Sequence, residues 1–353
     1  MPIVLPLFEW LTYISLALLL GTAVLQYVSE ENKPILSISS KWLIASALTV
    51  GIFSIGPALE IVLAFSKIRG FSDTLQVVLF GSKTGHAWLI VVLCSMLLIL
   101  TIVVKSHPHI YTLLTIGLVV GVSYAGHAAS ISPVNGMLSH FLHVLFVGLW
   151  SGVILTVSFF IKKPVNWKAF LTWFTPFAIG CFILLSLSGV IAMLIIVGLP
   201  NYVNSWSTNY GQGLLLKQIS IILLVVFAVI NGILLRKVKN SHTFRPTGWL
   251  RVEAVTLLII FFITGVMVNQ SPPTNLQHAE ANSLLPFIYG QPITLPITFQ
   301  FTIVGAIFSF LAIFFLAYIF VIFHKKINAW FSLLSGTLFV FSLYIAMITS
   351  ISF

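Results

Sequence analysis

Residues 138–161 read LSHFLHVLFVGLWSGVILTVSFFI, a run that contains no Asp, Glu, Lys or Arg. An α-helix needs about 20 apolar residues to cross a hydrocarbon core of about 30 Å, and this run is long enough. The strands of a membrane barrel would be about half as long and would alternate in polarity, which this run does not. The stretch therefore predicts a transmembrane helix and an all-α fold.

Runs of similar length recur along the whole chain. Of the 353 residues, 59% are hydrophobic and 7% are charged, and the mean hydropathy is +1.11, which excludes an ordinary soluble globular protein. The first run starts without the basic region of a cleavable signal, so we expect it to remain in the mature protein. We predict a polytopic membrane helix bundle of about ten spans, near residues 3–28, 42–66, 86–104, 110–130, 138–161, 169–198, 213–236, 249–270, 298–323 and 329–353.

The distribution of Lys and Arg predicts the orientation. The net charge of +10 lies in short loops beside the spans, not in a stripe that would bind nucleic acid. Short loops rich in Lys and Arg stay on the cytoplasmic side of the membrane. Four alternate loops carry such residues, at Lys105, at 162–168, at 236–251 and at 325–326. Both termini are therefore predicted outside, although the external loop 66–85 disagrees, because it carries Lys67, Arg69 and Lys83.

The sequence shows no motif of a soluble enzyme or of an ATP-driven pump. Cys94 and Cys181 lie inside apolar spans, so they form neither a disulfide framework nor a paired metal motif. A nucleotide-binding loop and an acidic phosphorylation motif are both absent from the sequence. We therefore expect no enzymatic activity, and we expect any transport to be passive or coupled to an ion gradient.

Four of the nine histidines fall in the predicted outer leaflet, namely His86, His127, His140 and His143. His140 and His143 are three residues apart and share a helix face, which Trp150 continues two turns deeper. The connection that follows His127 is short, so the fourth and fifth spans are antiparallel neighbours. Ionisable groups within spans usually face a bundle interior or a polar cavity, which favours a metal-binding cluster. The alternative is that these rings are interfacial or interhelical hydrogen-bonding groups.

Further candidate ligands reach the same level of the membrane. Glu9 and Glu60 lie near the outer ends of the first and second spans, and Met137, Met193 and Met267 lie near the outer boundary. Imidazole with thioether suits copper, and Cu(I) in particular, whereas carboxylate with imidazole suits Cu(II) or Zn(II). The methionines also fit packing or lipid-facing roles, and the glutamates also fit hydrogen bonds across helices.

Several short motifs follow one another along the chain. They are Gly126-His127-Ala128, His143 followed seven residues later by Trp150 with Gly152, Gly189, Tyr210-Gly211 followed by Leu214-Leu215-Leu216-Lys217, and Arg251-Val252-Glu253 in a helix that ends at Ser271-Pro272-Pro273. In this order they resemble the CopD family of bacterial copper resistance and uptake membrane proteins. The resemblance covers nearly all of residues 1–273 as eight spans. Ser151 departs from the pattern, because many relatives have a second glycine there.

The resemblance implies copper movement across the cytoplasmic membrane, often beside a small external copper carrier of the CopC type. Carried over by position, it implies that His127 and His143 contact the metal, while Trp150, Lys217 and Glu253 match the pattern without an assigned role. It divides the chain into a core of eight spans, residues 1–273, and an external loop with two further spans, residues 274–353. We expect a CopC-like carrier, if one takes part, to be a separate protein.

Three hypotheses about function follow. The first is copper uptake across the bacterial cytoplasmic membrane, with copper captured by His127 and His143, together with His140 or His86. The second is a haem-binding electron-transfer protein, because paired histidines on neighbouring membrane helices can be axial ligands; the haem would be non-covalent, since no CxxCH motif exists. The third is a membrane partner that delivers copper to an oxidase under assembly.

Overall fold

The computed structural model describes residues 3–163, 167–234, 246–274, 276 and 281–353, and most of them are helical. The chain divides into two compact units, Met1–Ile196 and Val197–Phe353. In the described residues, nine helical segments are long and apolar enough to cross a membrane, and a tenth, Pro108–Tyr124, is shorter and also apolar. These ten segments match the ten predicted spans, so the prediction of an all-α polytopic membrane protein is confirmed.

The first unit contains nine α-helices. They are α1 (Val4–Gln26), α2 (Ser40–Phe53), α3 (Gly56–Arg69), α4 (Phe71–Gly81), α5 (Lys83–Val103), α6 (Pro108–Tyr124), α7 (His127–Ile131), α8 (Asn135–Phe160) and α9 (Trp167–Ile196). A 3-10 turn at Glu30–Asn32 and a short ladder between β1 (Ile35–Leu36) and β2 (Ile161–Lys163) complete the unit. The long connection 66–85 between the second and third predicted spans contains the helix α4.

The second predicted span, 42–66, is not one helix. Its sequence contains Gly56-Pro57, and α2 ends at Phe53 while α3 begins at Gly56. Proline has no N–H for the carbonyl four residues earlier, here Phe53, and its ring clashes with that carbonyl. Hydropathy is continuous across the break, so residues 40–69 form one apolar segment long enough to span the membrane, as predicted, but its helix is interrupted.

Helices α1 and α8 pack closely against each other. A methyl group on Gly152 would overlap the backbone of Ala17 and Gly21, so the two helices touch through their main chains. Ser151 does not loosen this contact, because its hydroxyl donates to the carbonyl of Val147 in its own helix, 2.6 Å away. The Ser151 side chain is fully buried, so this close contact forms with a serine at the position of the second glycine.

Contacts between loops of the first unit agree with the predicted alternation of faces. On the predicted inner side, β1 pairs with β2, and the hydroxyl of Tyr27 lies 2.7 Å from Nδ1 of His109. On the predicted outer side, Nζ of Lys83 donates to the carbonyl of Ala129, 2.7 Å away. The loop 66–85 therefore lies on the same side as α7, which is where the alternation puts it despite its basic residues.

α9 differs from the other long helices of its unit. It contains Pro176 in its interior, and most of its surface is not covered by the rest of the unit. Near the N-terminal end of the helix, the indole N–H of Trp173 donates to the carbonyl of Asn32, 2.8 Å away. This end of α9 is therefore tied to the connection that follows α1.

The second unit is built from four long helices. They are α10 (Asn209–Val229), α11 (Pro246–Val268), α13 (Ile303–His324) and α14 (Trp330–Thr349), with a short α12 (Leu284–Tyr289), 3-10 turns at Leu199–Asn201 and Asn204–Ser207, and a π-helical turn at Ile230–Leu234. β3 (Thr298–Phe299) pairs with β4 (Ile351–Ser352). The shared core contains Leu223, Phe227, Trp249, Ile319 and Phe339.

The last two spans, α13 and α14, are part of this unit. A side chain on Gly336 of α14 would overlap Leu223 of α10, and the hydroxyl of Tyr344 donates to Oε1 of Gln212. The other end of that amide donates from Nε2 to the carbonyl of Trp206, 2.6 Å away. The structure therefore divides the chain at Ile196, whereas the family resemblance ends near residue 273.

Candidate functional site

His140 lies against the turn that precedes His127. Its Nδ1 is 3.2 Å from the carbonyl oxygen of Ser123, near the end of α6. Gly126, the residue before His127, has no Cβ, and a Cβ at that position would overlap the ring of His140. The motif Gly126-His127 therefore has a steric explanation: the glycine admits the His140 ring directly beside the backbone of His127.

His143 faces α9. Its Nδ1 is 3.2 Å from the carbonyl oxygen of Leu185, and a Cβ on Gly189 would lie 2.9 Å from its ring Cε1. Trp150, two turns further along α8, also meets α9, where its ring packs edge-on against Phe182 at a centroid distance of 5.8 Å. The predicted common face of His143 and Trp150 is therefore the face that packs against α9.

The carbonyl contacts determine how the imidazole rings are protonated. A carbonyl oxygen can only accept, so Nδ1 of His140 and Nδ1 of His143 carry the proton, and the lone pair of each neutral ring is on Nε2. Histidines that bind metal ions commonly donate the other ring N–H to a carbonyl in this way, which orients the ring. His140 and His143 contact different helices, α6 and α9, so their rings diverge from the face that they share on α8.

His86 lies in the first turn of α5. Its Nε2 is 2.8 Å from the carbonyl oxygen of Phe80, which places the lone pair of the neutral ring on Nδ1, and the side chain is exposed. It belongs to the α4–α5 corner, whereas His127 and His140 meet at the α6–α7 turn.

Lys83 is a neighbour of this region that sequence reasoning missed. Its ammonium group donates to the carbonyl of Ala129 in α7 and lies 4.6 Å from the ring centroid of Tyr124. It was interpreted from the sequence as a topology signal that disagreed with the others. In the structure, the positive charge of Lys83 lies between the carbonyl of Ala129, two residues after His127, and the ring of Tyr124.

A closed metal cage is not formed by the described side chains. Within the described ranges, no group of three or more His, Cys, Asp or Glu side chains is close enough to hold a metal ion. Cys94 packs against Gly117 of the neighbouring helix α6, and Cys181 is buried in α9. The cluster of His86, His127, His140 and His143 remains a prediction.

The accessory residues lie in different places. Met193 is on α9 one turn beyond Gly189, Met137 is in the first turn of α8, and Met267 packs against Gly213 in the second unit. Glu9 is buried in α1 beside the break between α2 and α3, and Glu60 lies on α3 with its side chain exposed.

Two family-pattern residues of the second unit also have defined surroundings. Glu253 is 2% exposed and accepts a hydrogen bond from Nδ2 of Asn231, 2.7 Å away. The same amide group lies 3.3 Å from the carbonyl of Trp249. Lys217 is half-buried in the outer part of α10. Through Asn231, Glu253 therefore joins α11 to the turn that follows α10.

Comparison with known proteins identifies relatives that handle copper. The family model described as "Copper resistance protein D-like, N-terminal domain" matches residues 1–137, and the model described as "Copper resistance protein D" matches residues 168–267. The first match includes His86 and His127, and the segment between the two matches contains His140 and His143.

A bacterial copper transport protein is also similar to this chain. The copper transport protein CutJ of Bacillus subtilis (strain 168) is 24% identical over 214 residues. The aligned part is 55% of this chain and 38% of that protein, so the chain spans well under half the length of this relative. No solved structure matches the chain.

Proposed function

Because the chain belongs to the copper resistance protein D family, we propose that it carries copper inward across the bacterial cytoplasmic membrane, as a carrier and not as an enzyme. The observation that supports this most strongly is the succession of the two family matches along a chain of apolar spans. The similarity to CutJ, which is named a copper transport protein, also supports copper movement across the membrane.

We propose that copper is captured at the outer side of the first unit. The ligands are Nε2 of His143 and the ring of His127, with His140 beside His127 and His86 as the more exposed contribution. Two imidazoles suit Cu(I), and the thioether of Met193, one turn beyond Gly189 on α9, is a further soft donor. The carbonyl of Leu185 orients the His143 ring for this role.

Release from the capture site requires weaker sites deeper in the protein, because a single tight site holds an ion and does not conduct it. The charge of Lys83 also weakens copper binding at the capture site. Its ammonium group bonds to the carbonyl of Ala129, two residues after His127, so it repels a second positive charge nearby and keeps copper binding reversible. An external CopC-like carrier fits this arrangement as the donor of the ion.

Metal analysis of the purified protein tests the proposal. Wild type, His127→Ala, His143→Ala and the double variant are loaded with copper, washed and measured by mass spectrometry. The matched control is His324→Ala, an exposed histidine at the predicted inner end of α13. We expect about one copper per wild-type and control chain, and loss of copper from the double variant.

Two results would contradict the proposal. If the double variant retains copper, these two histidines are not the ligands of the capture site. A Soret band in the visible spectrum of the protein as purified, lost with His143→Ala, would assign the ring to haem instead. A colourless preparation with histidine-dependent copper supports the proposal, and copper accumulation in cells that express each variant then measures direction.

A further inference from the structure

The break between α2 and α3 lies within a membrane span. Residues 40–69 together are long and apolar enough to cross the membrane, and the helix is interrupted at Ser54-Ile55. Pro57 supplies no N–H to the carbonyl of Phe53, which loses the partner that a continuous helix would give it. Irregular backbone at membrane depth is tolerated where it is buried in protein or lines a polar cavity.

Glu9 of α1 faces this break. A methyl group on Gly56 would lie 3.6 Å from Oε1 of Glu9, and the ring of Phe8 lies 4.6 Å from the ring of Phe53. The Glu9 side chain is 9% exposed, and its carboxylate accepts a hydrogen bond from the hydroxyl of Tyr13. A carboxylate is therefore held against the interrupted helix about 8 Å from the start of α1.

A second carboxylate lies close by. Glu60 is one helical turn beyond Gly56 on α3, and its charge interacts with that of Glu9. The ion pair that the described residues contain is Lys33 with Glu30, in the connection after α1. Within that part of the chain, no basic side chain forms an ion pair with Glu9 or Glu60.

Two buried hydroxyl groups complete the set. At 100° per residue, Thr12 projects from α1 between Phe8 and Glu9, the two side chains that meet the break. Thr12 is 1% exposed, and its Oγ1 has no hydrogen-bond partner among the described residues. The same holds for Oγ of Ser54, two residues before Gly56. A buried hydroxyl is normally paired, so these two oxygens indicate a ligand that takes oxygen donors.

We propose that Glu9, Thr12, Tyr13 and Ser54 bind a sodium ion at the break between α2 and α3. A proton would satisfy the carboxylate alone, whereas a metal ion also takes the hydroxyl oxygens. The donors are hard oxygens, which do not favour Cu(I). One buried carboxylate suits a single positive charge, since Ca²⁺ and Mg²⁺ sites use more carboxylates or several waters. Interrupted membrane helices supply such ions with carbonyl oxygens.

Thermal unfolding of the purified protein, free of copper, tests this site separately from the proposed transport. The melting temperature is measured in NaCl, KCl and choline chloride at one ionic strength. We expect wild type to melt about 2–4 °C higher in NaCl than in the other two salts, because an ion that binds the folded state alone stabilises it.

Three variants sharpen the test. Glu9→Gln and Thr12→Val remove a charge and a hydroxyl of the site, and Glu31→Gln removes an exposed carboxylate of the loop after α1 as the matched control. We expect the sodium increment to vanish in the first two and to persist in the control. Thr12→Val should also melt at or above wild type in choline chloride, because it removes an unpaired hydroxyl, so it decides the matter even if Glu9→Gln does not fold.

Equal melting temperatures of wild type in the three salts would overturn the proposal. An increment that Glu9→Gln and Thr12→Val both keep would also overturn it, since sodium would then bind elsewhere. An effect of pH on melting with no difference between sodium and potassium would assign the site to a proton instead, which is equally a refutation.

Discussion

Nδ1 of His143 on α8 donates to the carbonyl oxygen of Leu185 on α9, 3.2 Å away. One turn further along α9, Gly189 leaves room for the imidazole ring, because it has no side chain. Two residues of α9 that offer no metal-binding side chain therefore determine the direction of the His143 ring.

Gly189→Ala should weaken copper binding although it changes no ligand. The added Cβ would lie 2.9 Å from Cε1 of His143, so the ring must move away from Leu185. Loss of such an orienting partner typically weakens metal binding about 10–100-fold. The measurement is copper affinity by competition with a chelator. Gly180→Ala on the same helix, where a Cβ meets nothing within 4 Å, is the control and should bind as wild type does; equal affinities for both variants would refute the orienting role.

Lys83→Met should loosen α7. The substitution removes a charged donor from the carbonyl of Ala129 and the contact with the ring of Tyr124. For a partly exposed pair we expect a cost of about 1 kcal/mol, which is about a fivefold increase in local opening. Hydrogen exchange of the amides of residues 127–131 measures it. Lys67→Met, in the last turn of α3, should leave those amides unchanged, and similar exchange in the two variants would contradict the prediction.

Gly152→Ala should destabilise the first unit strongly. The new methyl group would overlap the main chain of Ala17 and Gly21, and backbone atoms cannot give way as a flexible side chain can. Overpacking of this kind costs about 1–3 kcal/mol and sometimes more. The melting temperature of the purified protein in detergent reports the loss. Gly180→Ala again provides the control, and a Gly152→Ala protein that melts with it would show that the two helices separate easily.

Tyr344→Phe should destabilise the second unit. The phenol donates to Oε1 of Gln212, which is 6% exposed, so removal of the hydroxyl leaves a buried amide oxygen without this donor. A buried group left unsatisfied costs about 1–3 kcal/mol. Tyr318→Phe, which alters an exposed tyrosine of α13, is the matched control. If both variants unfold at the same denaturant concentration as wild type, α14 does not depend on this hydrogen bond.

The spans were predictable because apolar length alone determines what can cross a bilayer. The interruption at Gly56-Pro57 was not predicted, because a hydropathy window averages over the backbone hydrogen bond that the proline removes. The same limit applied to the last two helices. Their apolar length predicted the spans, whereas their contacts with Gln212 and Leu223 depend on tertiary packing that no local pattern encodes.

The candidate site was predictable in part. The spacing of His140 and His143 placed both on one helix, and the glycine of Gly126-His127 was visible in the sequence. The directions of the rings were not, because they follow from carbonyl groups on two other helices. The contact of Lys83 was not predicted either, because a lysine near the end of a span is usually a topology signal and its partner Ala129 is distant in sequence.

Pro176 makes α9 easier to bend at one point than elsewhere along its length. Its missing N–H removes one hydrogen bond from the middle of the helix, so bending concentrates there. Below this position Trp173 anchors the helix to the loop after α1, and above it the same helix presents Leu185 and Gly189 to His143. A few degrees of bending at Pro176 would move the outer part of α9 and break the contact between Leu185 and His143, while the inner part stays in place. The curvature of this one helix would therefore control the position of the His143 ring.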